Sequence, residues 1–405
     1  MINYGTVLPA IQIPLLGNSV AVGLFSLLHI VPAALSVAFM LMAPVFEFRG
    51  RTDPFDRELA LLVTRVTVVV FSVSTVLAVI MVELMIGLFP VTTMWMWNHF
   101  RVPILFGVAS FMLMLLALYP YYHFWDRLRA TSITLHMVLG ALAAFFMLPW
   151  VFMLDGMGAF MLTPVQEGGT WERLFTPTWL PLVIHRMVGN LMIAGYTLAA
   201  YGAWRVWSPG EPALKPYYQH LLSRGWVIGL VAFLLQPFTG LLYAMAIHRA
   251  APDAQASIMT GPYVPWLYVQ VLLLSLFFLG NDVLTKRLRT LTGNRQRWLD
   301  IGFPVLAALL LLSAGYPELR RVCVYLLVGV TVWRVAASVS KAPTESALSP
   351  SPVRSLAVGL ALLSFLLYLT MGVMREASRR PDTVRGIISL QDELRHQARM
   401  EGALR

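Results

Sequence analysis

Long apolar runs separated by short polar turns recur along the chain, as in AVGLFSLLHIVPAALSVAFMLM and PLVIHRMVGNLMIAGYTLAAYG. A helix needs about 20 apolar residues to cross a bilayer. Runs of that kind lie near 20–46, 60–88, 102–121, 131–154, 180–204, 223–247, 263–284, 299–315, 320–338 and 354–374. The pattern predicts an all-α polytopic membrane bundle of about nine or ten transmembrane helices. The eighth and ninth candidates are short and joined by the tight turn SAGYPELRR, so they are expected to form a hairpin that need not fully cross. The expected organisation is a transmembrane core over 1–297, the helical hairpin over 298–338, a final span within 339–374 and a basic C-terminal tail over 375–405. No internal repeat or soluble domain is visible.

Composition makes lipid the solvent. Charged residues are 12% of the chain, against roughly 25% in soluble domains. The opening MINYGTVLPAIQIP lacks a basic region and a small-residue cleavage site, so the first span is expected to do the targeting. The net charge of +10 implies no nucleic acid, because Lys and Arg cluster in the short loops. The odd-numbered loops carry thirteen of them, Arg49, Arg51, Arg57, Arg127 and Arg129 among these, against five in the even ones. By the positive-inside rule the N-terminus lies outside. The basic tail counts against that rule, but charges after the last span weigh less. Cys323 is the single cysteine, which excludes intrachain disulfides, iron–sulfur clusters and covalent attachment of c-type haem.

Candidate chemistry sits in the apolar runs. A bilayer offers imidazole no water, so an intramembrane histidine marks a functional site by default. On this topology His29 and His185 occupy the outer halves of spans one and five. Glu83, Gln270, His248 and His99 also lie on the outer side, and His136 lies near the inner end of span four. One such histidine is more often hydrogen-bonded to backbone than bound to metal; two at one depth, with Glu83 alongside, favour a ligand role. Haem fits better than zinc or copper, since the spans supply no dense His/Cys/carboxylate cluster. Gly189, Gly195, Met187, Met192 and Tyr196 offer a flat surface for a porphyrin or, equally, for a neighbouring helix. His123, His220 and His396 read as solvated or interfacial, and tryptophans near span ends as an interfacial belt.

The segments FSLLHIVPAALSVAFMLM, PYYHFWDRLR, IHRMVGNLMIAGY, LLQPFTGLLYA and MGVMREASRRP resemble cytochrome bd quinol oxidase subunit I, over roughly residues 15–285 and 354–390. The resemblance implies haem ligands at His29 and His185, a span-end carboxylate at Glu83, and quinone or proton handling by Glu83 and Gln236. It also implies departures. The family's methionine ligand maps to Gln270, its paired glutamates to Phe106 and Met114, and its second haem-ligating glutamate near Leu369. The long outer loop is reduced to HRAAPDAQASIMTGPY, and residues 298–338 look inserted. Matches and departures together imply a non-covalent haem b or quinone-handling electron-transfer subunit in a bacterial or archaeal cytoplasmic membrane. Its expected partners are lipid, other membrane subunits of a respiratory complex and an outer-side carrier such as cytochrome c. Two alternatives are an active quinol:oxygen oxidoreductase with rearranged ligands and a cofactor-free structural anchor. A further ligand is expected from His248 or His29. The tail, with Val384, Ile387, Ile388, Leu390 and Leu394 partly on one face, is expected to rest on headgroups or dock a partner.

Overall fold

A computed structural model describes residues 11, 13, 17–208, 212–291, 296–340 and 350–403. Its helices are α1 (Asn18–Arg49), α2 (Pro54–Leu88), α3 (Pro90–His123), α4 (Trp125–Thr131), α5 (Ile133–Leu162), α6 (Thr170–Leu174), α7 (Trp179–Val206), α8 (Lys215–Ala250), α9 (Pro252–Met259), α10 (Val264–Leu288), α11 (Gln296–Leu312), α12 (Pro317–Ala336), α13 (Pro350–Ala377) and α14 (Leu390–Ala403). Among the described residues eight of these, α1, α2, α3, α5, α7, α8, α10 and α13, are long and apolar enough to span a membrane. The two short candidates fold as α11 and α12; α11 has 17 residues, and α12 carries Arg320, Arg321 and Arg334, so neither joins the eight.

Local chemistry sets the helix starts. Pro54 and Pro90 occupy the first turns of α2 and α3, where a missing N–H costs nothing. Asp53 Oδ1 accepts from the Phe55 N–H at 2.9 Å, and Ser132 Oγ from the Leu135 N–H at 3.3 Å, capping α2 and α5. The α1–α2 turn requires Gly50, because a Cβ there would lie 2.7 Å from the Arg57 backbone.

The chain divides into two compact units. Unit 1 comprises Met1–Arg186, Leu242–Gln255 and Glu376–Arg405. In it α1 packs along α2, α3 along α5, and α1 also touches α5. The Ile11 N–H donates to the Gly87 carbonyl at 2.8 Å, and Asn18 Nδ2 to the Leu88 carbonyl at 3.3 Å. The start of α1 therefore lies at the end of α2.

The C-terminal segment closes the same end of unit 1. Strands β3 (Asp382–Val384) and β4 (Ile388–Ser389) pair antiparallel. Val384 and Ile388 enter a core cluster with Val91, Phe100, Met153 and Phe160. Val384 and Ile388 thus pack on the chain itself, while Leu394 is exposed. Ser389 and Asp392 form a reciprocal cap on α14, with Asp392 Oδ2 2.8 Å from the Ser389 N–H and Ser389 Oγ accepting from the Asp392 N–H at 3.3 Å. One turn later the buried Glu393 accepts from the N–H groups of Val91 (3.1 Å) and Thr92 (2.7 Å) and from the Thr92 hydroxyl (2.6 Å). A carboxylate on the first N–H groups of α3 satisfies donors that have no intrahelical partner and complements the helix dipole.

That contact predicts a pH dependence. Burial pushes the Glu393 carboxyl above its ordinary 4.5, against the pull of its three donors. A raised folded pKa adds stability below the ordinary value, and this is lost as pH rises through the raised one. Asp392 and Asp253 act oppositely. Ser389 hydrogen bonds lower the first from 3.8 and the Arg385 partner lowers the second, so their contributions fail only in stronger acid. Amide-exchange protection of α14, corrected for intrinsic rate, should rise as pH falls from about 7 to about 4.5. Glu393→Gln should flatten that slope; an unchanged slope in the variant would show that another group sets it.

Unit 2 comprises Met187–Leu241 and Ala256–Arg375. Here α7 and α8 cross at glycines: a Cβ on Gly195 would lie 2.3 Å from the Gly229 nitrogen. Gly195 therefore serves helix packing, not the porphyrin surface its neighbourhood suggested. Tyr196 donates its hydroxyl to Asn281 Oδ1 at 2.6 Å, and Phe233 packs its ring against Phe277 and Phe278. Ser275 Oγ on α10 donates to the Ala307 carbonyl of α11 at 2.7 Å. Arg334 of α12 is buried against Asp282, with Asp300 at 3.0 Å, and Lys286 reaches both carboxylates. Strands β1 (Arg289–Leu291) and β2 (Ser338–Ser340) pair antiparallel, bracketing the α11–α12 hairpin.

Candidate functional site

The strongest convergence of expected site residues is in unit 1, where α1, α2, α5 and α7 meet. His29 is half-buried on α1. Its Nδ1 lies 2.9 Å from the Ser74 backbone carbonyl of α2, with the Ser74 hydroxyl at 3.3 Å. A carbonyl only accepts, so Nδ1 carries the proton and the neutral ring keeps its lone pair on Nε2. Metal-binding histidines are anchored in this way, the second nitrogen donating to a backbone carbonyl and fixing the tautomer. His99 shows the same bond within its own helix, to the Trp95 carbonyl at 2.7 Å, and stacks on the Trp95 ring.

His185 is half-buried on α7, its ring roughly parallel to Tyr243 with centroids 6.1 Å apart. The next residue, Arg186, pairs with Asp155 of α5. Asp155 is fully buried, and its Oδ2 has no hydrogen-bond partner among the described residues. The pair sets a buried carboxylate on the residue next to His185, in the same unit as His29. Its sequence signal was a carboxylate inside an apolar run, VFMLDGMGAF, the kind of residue that marks function in a bilayer.

The other expected residues are spread more widely. His248, at the end of α8, and Glu83, near the end of α2, are both exposed. Gln236 and Gln270 belong to unit 2. The Gln236 amide nitrogen lies 3.0 Å from where a Gly189 Cβ would stand, with the Tyr368 ring beside it, and Tyr368 donates to Asn190 Oδ1 at 2.7 Å. Gln270 Oε1 accepts the hydroxyl of Thr370, joining α10 to α13. Phe106 is exposed and Met114 is fully buried.

A haem iron asks for neutral imidazole nitrogen in dry surroundings with few competing ligands. His29 meets that test through its fixed tautomer, and His185 is the second candidate imidazole. His136 does not, because both its ring nitrogens are engaged by protein oxygens.

The chain is similar to the structure of bd oxidase from Geobacillus thermodenitrificans, with a TM-score of 0.56 over 90% of this chain and 98% of that one, at 16% identity. No family model and no curated protein sequence matches it. The chain is a multi-pass, all-α membrane protein with the fold of that bd oxidase chain.

Proposed function

We propose that this chain is a haem b or quinone-handling electron-transfer subunit of a respiratory membrane complex. The observation that carries the reading is the anchored His29 tautomer, which leaves Nε2 as an available ligand atom. When bound, haem b supplies one-electron redox chemistry. The protein's own part is to hold the imidazoles: Ser74 fixes His29, and Tyr243 flanks His185. His248 is the further ligand candidate. Glu83 and Gln236 are assigned to quinone or proton handling, and the exposure of Glu83 suits contact with a lipid-soluble carrier or a neighbouring subunit. The complex would sit in a bacterial or archaeal cytoplasmic membrane with the N-terminus outside. It would exchange electrons between the quinone pool and an outer-side carrier such as cytochrome c.

A reduced-minus-oxidised spectrum of the purified full chain tests this. A b-type band supports the proposal; a folded preparation with no band favours the cofactor-free anchor. Quinol-dependent oxygen uptake should be absent or very weak, because Phe106, Met114 and Leu369 cannot carry protons where the family has carboxylates. Uptake that is lost in His29→Ala would instead establish the oxidase.

A further inference from the structure

At the end of unit 1 opposite the C-terminal segment, four polar side chains are sealed among helix ends. Glu47, in the last turn of α1, is fully buried and follows His29 by about five helical turns. Its Oε1 accepts from Arg129 Nη1 of α4 at 2.7 Å and lies 2.6 Å from His136 Nδ1 of α5; its Oε2 accepts the Tyr121 hydroxyl of α3 at 3.0 Å. The other nitrogen of His136, Nε2, lies 3.0 Å from the Tyr121 carbonyl. His136 is fully buried too, with the Tyr121 and Trp125 rings each centred 4.5 Å from its own. Gly140, one turn further along α5, admits the Tyr121 ring, since a Cβ there would lie 2.7 Å from it.

The bonding pattern fixes a proton count. A carboxylate and a carbonyl oxygen both accept, so a ring that faces one with each nitrogen donates from both and is an imidazolium. Glu47 then neutralises one of two cations, His136 and Arg129. Proton transfer from Nδ1 to Oε1 across the 2.6 Å contact leaves a neutral ring and a neutral acid, so the site has two internal forms that differ only in where one proton sits. Arg129 is the one member that reaches the surface, its side chain 11% exposed and its guanidinium 5.5 Å from the Trp125 ring. A further charged pair at this end, Arg49 with the buried Asp56, is joined at 2.7 Å.

We propose that Glu47 and His136, with Tyr121 and Arg129, form a proton-holding site: a buried imidazolium–carboxylate pair that keeps one proton exchangeable with water on the Arg129 side. A static clasp between helix ends needs the same contacts but no exchange. The site stands apart from His29 and His185, and neither assignment depends on the other.

The test is histidine-labelled NMR of the full chain in lipid, with the His136 signal assigned by its loss in His136→Gln. At pH near 7 that signal should be an imidazolium, and it should become neutral in Glu47→Gln, which removes the counter-charge. Saturating the water resonance should attenuate the His136 ring N–H signals in the unaltered protein, since the proposed site exchanges its proton with water. If Glu47→Gln does not fold, Arg129→Gln carries the test: it removes a neighbouring cation and should leave the imidazolium intact. A neutral His136 at pH near 7 in the unaltered protein or in Arg129→Gln overturns the proposal. So does a cation indifferent to Glu47→Gln, or a ring N–H that does not exchange with water.

Discussion

Gly195→Val should cost unit 2 about 3 kcal/mol or more, measured as loss of resistance to denaturant in detergent or lipid. The new Cβ would meet backbone: the Gly229 nitrogen at 2.3 Å, its Cα at 2.6 Å and the Gly225 carbonyl at 2.8 Å. Backbone in two packed helices cannot swing aside as a side chain can, so α7 and α8 must separate. Gly225 lies in the same contact, where a Cβ would stand 2.5 Å from the Ala199 nitrogen. Close approach of this kind is how membrane helices gain dispersion contact when lipid offers them no hydrophobic drive. Gly359→Val in α13 is the control, since nothing lies within 4 Å of a Cβ there, and it should be nearly neutral. Equal losses at the two positions would refute the crossing as the cause.

Arg186→Met should be nearly as damaging, for an electrostatic reason. Asp155 has no solvent exposure, Arg186 is its cation, and Oδ2 already has no hydrogen-bond partner among the described residues. Removing one member of a buried pair strands the other, at about 3–5 kcal/mol, whereas removing both for apolar groups of similar volume is often neutral. Asp155→Leu with Arg186→Met should therefore recover most of the stability that Arg186→Met loses. Additive losses in that double-mutant cycle would mean the two side chains act independently.

Most of the architecture was legible in apolar run length. Every long run became a helix, and the α11–α12 pair was marked by its short runs and the Pro317 turn. The polar content of α12 was visible as well: Arg320, Arg321 and Arg334 interrupt an otherwise apolar helix, and Arg334 serves the Asp282 pair. Helix periodicity could not assign Gly195, since one small residue suits a porphyrin and a helix backbone alike. Glu47 and His136 lay hidden for another reason: their meaning arises from side chains far apart in sequence. The carboxylate follows α1's apolar run, and its partners come from α3, α4 and α5. The tail's apolar positions were visible, but not what they face. That was decided by Glu393 reaching the open N–H groups of α3.

The proposed function stands or falls on whether His185 and His29 hold a haem in the neighbourhood of Arg186 and Asp155. The reduced-minus-oxidised spectrum of the purified full chain decides it, taken beside His185→Ala and His29→Ala, each checked for membrane insertion and helicity. A b-type band is expected in the unaltered chain, abolished in His185→Ala and lost or shifted in His29→Ala, with the fold intact in both. A b-type band of unchanged position and height in His185→Ala would contradict the assignment.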